Sequence, residues 1–377
     1  MYGSRSSLMR WGGGAGHWRG KLALGAVSLI AVFLAAACAS PPGQAGASGS
    51  SSGGGGGGST VVREVVAGDS LSFANALYAQ AAGLFEAQGL KMDYLPSPNN
   101  SSTTATELIT GAADIAFVTN DPVYPAIAQS RGIKLYATTT TGVSHAIVLN
   151  NTVVKQLAAK GITPSSPLDK RIQALKGLNI AQEVAGTSAY TMFQTVLKDG
   201  GLSASDVHAF PVTTWTEAAD AARQDRVDGY VAPAPDNATG PSQGWGTLWL
   251  KYDELPEFKT VPYIMLAANT SFAQAHPDVM TKVLKAMWET VSDFKTKPAS
   301  VSSVLKSKFF ANTNPKLFSL AFNLVDSEFT ATLTPDQAGL TTQLGLYNSV
   351  AQVPVKLSFA QVYELSFVNK TGPAASA

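Results

Sequence analysis

Cysteine is almost missing from this chain. Cys38 is the single one in 377 residues, so no internal disulfide can form. Histidine is nearly as sparse: outside the N-terminal segment there are only His145, His208 and His276, scattered without metal-ligand spacing and with no cysteine beside them. The body after residue 60 carries no Gly-x-Ser-x-Gly elbow, no Walker lysine loop and no dinucleotide glycine fingerprint. Nothing here points to a metal, a cofactor or a nucleophilic enzyme. One-sided charge is absent too. Four of the 27 basic residues precede Cys38 and none of the 26 acidic ones do, so the chain from Cys38 onward carries a formal −3. That balance offers no electrostatic footing for nucleic acid. Beyond the first apolar run, Leu22 to Ala37, no other run reaches membrane-spanning length.

What is present begins with that run. Arg5, Arg10, Arg19 and Lys21 precede it, and small residues lead into Cys38. A charged segment, an apolar segment and a small-residue cleavage site read as a secretory signal over residues 1–37. Leu34-Ala35-Ala36-Ala37-Cys38 resembles a bacterial lipobox, with Leu four rather than three positions before the cysteine. The resemblance implies a lipidated Cys38 that anchors the mature protein to the outside of the cell membrane. Residues 38–60 are nearly all Gly, Ser, Ala and Pro, a flexible tether without core-forming side chains. About 310 residues then remain, enough for two lobes.

The body repeats itself. A helix ends in Gly-Leu, a strand follows, and a second helix leads to a strand announced by Asp: Leu77–Phe85, Gly89-Leu90 and Ala113-Asp114-Ile115, then Ala189–Leu197, Gly201-Leu202 and Val227-Asp228-Gly229. Gly89 to Asp114 spans 25 positions and Gly201 to Asp228 spans 27. Two similar α/β halves imply a cleft between them, where small ligands usually bind; ordinary α/β grammar without functional meaning is the competing reading. Strands are expected at 61–67, 91–95, 115–118, 135–141, 146–149, 178–181, 208–212, 229–231 and 261–268. Helices are expected over 74–85, 104–110, 190–198 and 215–224, and from Pro277 onward over 277–294, 300–310, 315–325 and 335–350. The alternation argues for parallel sheets with helices on both faces, and Gly142 reads as the crossing between lobes.

Ala76–Leu90, Gly111-Ala112-Ala113-Asp114-Ile115, Leu175-Lys176-Gly177-Leu178, Gly186-Thr187-Ser188, Val227-Asp228-Gly229 and Ala275-His276-Pro277 occur in the order seen in substrate-binding proteins of nitrate/sulfonate/taurine-type ABC importers, which this chain resembles. That family also includes binders of thiamine-pyrimidine precursors. The resemblance implies an α/β, two-lobed periplasmic-binding-protein fold of the Venus-flytrap type (type II), with C-terminal helices. It implies lobe 1 over 61–141 and 262–370, and lobe 2 over 142–261. It further implies a monomer that takes a small organic solute and passes it to an ABC permease. One departure stands out: where the family often has Trp-Glu-Pro, this chain has Pro233-Ala234-Pro235.

Ligands of doubly wound sheets sit beyond the carboxyl ends of strands, which selects Ser72, Phe73, Asn120, Asp121, Glu183, Gly186, Thr187, Ser188, Trp215 and Asp236 as candidates. Gly186-Thr187-Ser188 opens a helix whose free amides suit a sulfonate, carboxylate or phosphate, with the two hydroxyls as added donors, or else simply caps it. None of these turns holds Arg or Lys, and Asp121, Glu183 and Asp236 suit an amine, an aminopyrimidine or a zwitterion. Phe73, Tyr190 and Trp215 offer flat stacking surfaces. His145 is a further contact candidate just past the crossing. Two other functions stay open: a thiamine-pyrimidine-synthase-like enzyme, whose cysteine-rich motif is missing here, and a sensory surface lipoprotein.

Overall fold

The computed structural model describes residues 60–325, 328–329 and 332–372. The expected signal, Cys38 and nearly all of the tether lie outside the described residues. Ten strands form two five-stranded sheets. The first contains β1 (Val61–Val66), β2 (Lys91–Tyr94), β3 (Ile115–Thr119) and β4 (Ile133–Thr141). The second contains β5 (Ala146–Asn150), β6 (Asn179–Glu183), β7 (His208–Val212), β8 (Gly229–Ala232) and β9 (Gly246–Lys251). Strand β10 (Pro262–Asn269) returns to the first sheet. The orders are β2-β1-β3-β10-β4 and β7-β6-β8-β5-β9, the same winding twice.

Matching hydrogen bonds explain the sequence repeat. Ahead of β3, Asp114 accepts from the Arg63 amide at 2.9 Å and donates its own amide to the Arg63 carbonyl at 2.9 Å. Ahead of β8, Asp228 does the same with Asn179, at 2.8 Å both ways. Asn269 and Asn150, at the ends of β10 and β5, donate their amides to the carbonyls of Asp114 and Asp228. Their side chains cap the preceding helices at Leu108 and Ala222. The Asp of each half therefore joins the central strand to its neighbour and to the strand arriving from the other lobe.

The sheets are mixed, not all parallel. β10 runs antiparallel to β3 and β4, and β5 antiparallel to β8 and β9. In each sheet the reversed strand is the one that enters from the other half, and a local alternation pattern carries no information about such an entry. The two crossings lie side by side, with the Gly142 amide donating to the Val261 carbonyl at 2.8 Å. Gly142 holds φ +77°, and a Cβ there would meet the Lys259 carbonyl oxygen at 2.9 Å, so both conformation and space demand glycine.

The expected 74–85 helix is two helices, Ala74–Ala81 and Leu84–Ala87, because Gly83 sits at φ 68° between them. The helix expected from 104 starts at Ser101, capped by Asn100, whose side-chain oxygen accepts from the Ser102 and Thr103 amides. The last long helix starts at Gln337 behind Asp336 rather than at Pro335. Strand β9 and the helices Asn151–Ala158 and Leu168–Gln173 had no counterpart in the sequence reading.

One large apolar core runs from the first sheet through the C-terminal helices and onto the second sheet at Ile147, Leu149 and Ile180, and a smaller one, with Val148, Ala181 and Tyr230, also lies on the second sheet. In the smaller core, Ala218, Ala219, Ala221 and Ala222 let the helix Trp215–Arg223 lie close on Tyr230 and Val148. The C-terminal segment also covers the free edge of β4. The Thr138 amide donates to Leu333 and the Glu364 amide to Leu135, so this edge strand offers few open hydrogen-bonding groups.

Candidate functional site

A cavity of about 490 Å³ opens where the carboxyl ends of the two sheets meet. From the first sheet come Asp69, Ser70 and Phe73 after β1, Asn99 to Ser102 after β2, and Thr119 at the end of β3. From the second come Glu183 and Thr187 to Ala189 after β6, Thr213 to Thr216 after β7, and Pro233, Pro235 and Asp236 after β8. Tyr263 enters from the start of β10, and Phe309, Phe310 and Thr313 close the mouth from the C-terminal helices. Six matching strand ends thus face one another, the position at which wound sheets hold ligands.

Of the sequence candidates, Phe73, Glu183, Thr187, Ser188, Trp215 and Asp236 line this cavity. Ser72, Asn120, Asp121 and Gly186 are not among its lining. The Ser72 carbonyl accepts from Thr140, and Asn120 donates to the Pro262 carbonyl at 3.0 Å, which anchors the loop after β3 to the returning strand. Asp121 is buried, and its carboxylate accepts from Gln343 at 3.4 Å. Burial pushes Asp121 up to about 6, with Thr191, Ser188 and Gln343 easing its charge. Gly186 holds φ +94° in the turn before the helix.

The helix Ser188–Asp199 is capped by Thr187, whose hydroxyl oxygen accepts from the Tyr190 amide at 3.2 Å and donates to the Val184 carbonyl at 3.0 Å. These bonds occupy its one donor hydrogen and one of its two acceptor positions. Ser188 differs: it is 4% exposed and its hydroxyl has no hydrogen-bond partner, lying near Asp121 without meeting hydrogen-bond geometry.

His145 lies behind the wall rather than in it. It is buried in an aromatic box, with ring centroids 5.6 Å from Trp215, 5.9 Å from Tyr252 and 5.7 Å from Tyr263. Burial pushes it down to about 3, so it is neutral. Two members of its box, Trp215 and Tyr263, face the cavity, and the neutral ring supports them.

Electrostatically the site is acidic. Burial raises Glu183 to about 7, with Thr187 easing it. Burial and then the charge of Asp69 raise Asp236 to about 6. Among the described residues, no group of three or more His, Cys, Asp or Glu side chains is placed to hold a metal. Sequence reasoning found Trp215 but missed Asn99 to Ser102 and, around that tryptophan, Thr213, Thr214 and Thr216, although these are polar residues just after a strand. It had no means of finding Phe309 and Phe310, which only the tertiary fold brings to the cleft.

Two wound lobes, two adjacent crossings and a lined gap define a two-lobed periplasmic-binding-protein fold. The sequence model of the NMT1-like family matches residues 69–306, and the chain belongs to that family. No curated protein matches the sequence. Solved structures of similar fold include the alkanesulfonate-binding protein SsuA from Xanthomonas axonopodis pv. citri bound to MOPS. It is 15% identical, with TM-score 0.64, over 81% of this chain and 98% of that one. The periplasmic nitrate-binding protein NrtA from Synechocystis PCC 6803 is 14% identical, with TM-score 0.61, over 84% and 89%. A zinc-bound ligand-binding component of an ABC-type import system from Staphylococcus aureus is 13% identical, with TM-score 0.66, over 83% and 99%. By their names these three bind ligands, other similar structures include a DszB mutant in complex with biphenyl-2-sulfinic acid, and at such identities the likeness is one of fold.

Proposed function

We propose that this protein is the extracytoplasmic solute-binding component of an ABC importer, tethered to the membrane through a lipidated Cys38 after removal of residues 1–37. It captures one small organic solute, sulfonate- or taurine-like or else aminopyrimidine-like, and presents it to a membrane permease as a monomer. Lobe 1 (61–141 and 262–370) and lobe 2 (142–261) close about the paired crossings at Gly142 and Val261, with ligand contacts from both sides holding the closed state. Phe73, Glu183, Thr187, Ser188, Trp215 and Asp236 are its contacts.

The observation that carries this reading is the roughly 490 Å³ cavity lined from the carboxyl ends of both sheets. A volume of several hundred Å³ fits a small organic molecule. No step of this function needs bond making. A thermal-shift and calorimetric screen of the purified full-length protein against sulfonates, taurine, nitrate, amines and aminopyrimidines tests the proposal. Saturable one-to-one binding supports it; inertness toward a broad solute panel contradicts it.

A further inference from the structure

The cavity wall has a composition that an anion-binding cleft should not have. Among the described residues lining it, Asp69, Glu183 and Asp236 are carboxylic acids and none is Lys, Arg or His. An anion entering here would face two or three like charges at short range in a partly desolvated site, where charge–charge terms are several times stronger than in water. The donors that could offset this are all neutral, hydroxyls and amides such as those of Ser70, Asn99, Asn100, Ser101, Thr213 and Thr214. Thr187 spends its one hydroxyl hydrogen on the Val184 carbonyl. The charged groups of the wall, three carboxyls, only accept hydrogen bonds once ionised, and the buried, unpartnered Ser188 hydroxyl beside them is a neutral donor or acceptor.

The apolar part of the wall is flat and aromatic. Phe73, Trp215, Tyr263 and Phe310 border the same space as the acids. Aromatic faces carry a negative quadrupole that attracts cations, so the rings and the acids favour the same sign of ligand charge. They also favour a planar body over a compact inorganic ion.

Resting on the solute-capture reading of this site, we infer that the ligand is an organic cation, a protonated amine or amino-heterocycle on a flat apolar frame, and that nitrate and simple sulfonates are rejected. Glu183 and Asp236 receive its N–H groups, from the second sheet, and the aromatic residues sandwich its frame. Burial has raised both acids toward neutrality, so a cation that ionises them recovers an interaction lost to desolvation.

Matched pairs isolate the sign of charge. Isothermal titration of the purified full-length protein with benzamidinium against benzoate, and with benzylammonium against benzenesulfonate, holds ring size constant. The expected result is at least about tenfold tighter binding of each cation. Glu183→Gln and Asp236→Asn should each reduce that ratio, and the double variant should abolish it, with unchanged melting temperature showing that the fold persists. Asn99→Lys, which adds a base at the rim, should shift the preference toward the anion. If the anions bind better, or if the ratio survives in the double variant, the inference falls while solute capture stands. If neither series binds and the broader panel is also inert, both readings fall together.

Discussion

The Leu71 amide donates to the Ala234 carbonyl at 2.9 Å, a single backbone hydrogen bond joining the loop after β1 to the loop after β8. These loops belong to different sheets, so the bond bridges the base of the cleft. It sits directly beside Ser70, Pro233 and Pro235 of the cavity wall. Residue 71 opens a short 3₁₀ turn, and Ser70 already has the extended conformation (φ −77°, ψ 163°) that a following proline needs. Leu71→Pro should therefore delete the bridging donor while sparing the local backbone. Relative to Leu71→Ala, which removes the same packing and keeps the amide, it should weaken solute binding by about three- to tenfold, the weight of one hydrogen bond. Calorimetric Kd values for the two variants make the comparison.

Solute affinity should depend on pH with a definite sign. The titratable group facing Glu183 is Tyr263, with the non-ionising Thr187 hydroxyl on its own loop; Asp236 faces Asp69; among the described residues no Lys, Arg or His lines the cavity. Glu183 and Asp236 lose their protons near 7 and 6. A permanently cationic solute should bind more tightly as pH rises from 5 to 8. An anion would show the reverse slope. Titrations at three pH values with a quaternary aromatic ammonium read the sign directly.

Trp215→Ala should lower affinity by about tenfold or more through loss of one aromatic wall. It also opens the box around His145, whose neutrality depends on burial. The imidazole should then titrate closer to its ordinary value near 6.5, visible by NMR of the ring protons. An unchanged affinity would remove Trp215 from the site.

Glu64 gives a stability prediction independent of the ligand. It is fully buried on β1 and meets the Gln80 side chain at 3.1 Å, and burial raises it to about 8. A carboxyl whose folded value exceeds its unfolded value favours the folded state only while protonated. Stability from this group is therefore intact below about 4.5 and falls as pH rises through about 8. Glu64→Gln should leave the melting temperature nearly unchanged at pH 5 and raise it at pH 9, by an amount worth a few kcal/mol at about 1.4 kcal/mol per pKa unit. Thermal melts across pH 5–9 check it.

Gly142→Ala should cost about 1–3 kcal/mol, since it combines a positive φ with backbone crowding from the opposite crossing. Denaturant unfolding measures this cost. A neutral result would mean that the crossings are looser than their 2.8 Å hydrogen bond indicates.

Much of this architecture was legible because the repeat has a local cause. Asp114 and Asp228 each precede a buried strand and bind the amide of the neighbouring strand, so spacing and residue type recur together. Strand directions were not legible, because β5 and β10 are reversed by chain crossings rather than by anything in their own residues. Strand β9 (Gly246–Lys251) escaped because it opens on glycine directly after a Gly/Pro-rich stretch that reads as loop. At the site, residues adjacent to strand ends were reachable by pattern, as with Phe73, Glu183 and Asp236. Asn120 and Asp121 satisfied the same pattern but turn toward Pro262 and Gln343, a choice made by tertiary packing. Phe310 comes from the far end of the chain and left no local sign.

The central claim is a cleft that closes on a solute, and the distance across its mouth tests this most directly. Ser102 and Thr216 are exposed rim residues in the first turns of the helices that follow β2 and β7. Spin labels at these two positions, in a Cys38→Ser background, report their separation with and without the most stabilising solute of the screen. The account predicts a shorter and narrower distance distribution at saturation. A distribution unchanged by saturating solute would contradict it.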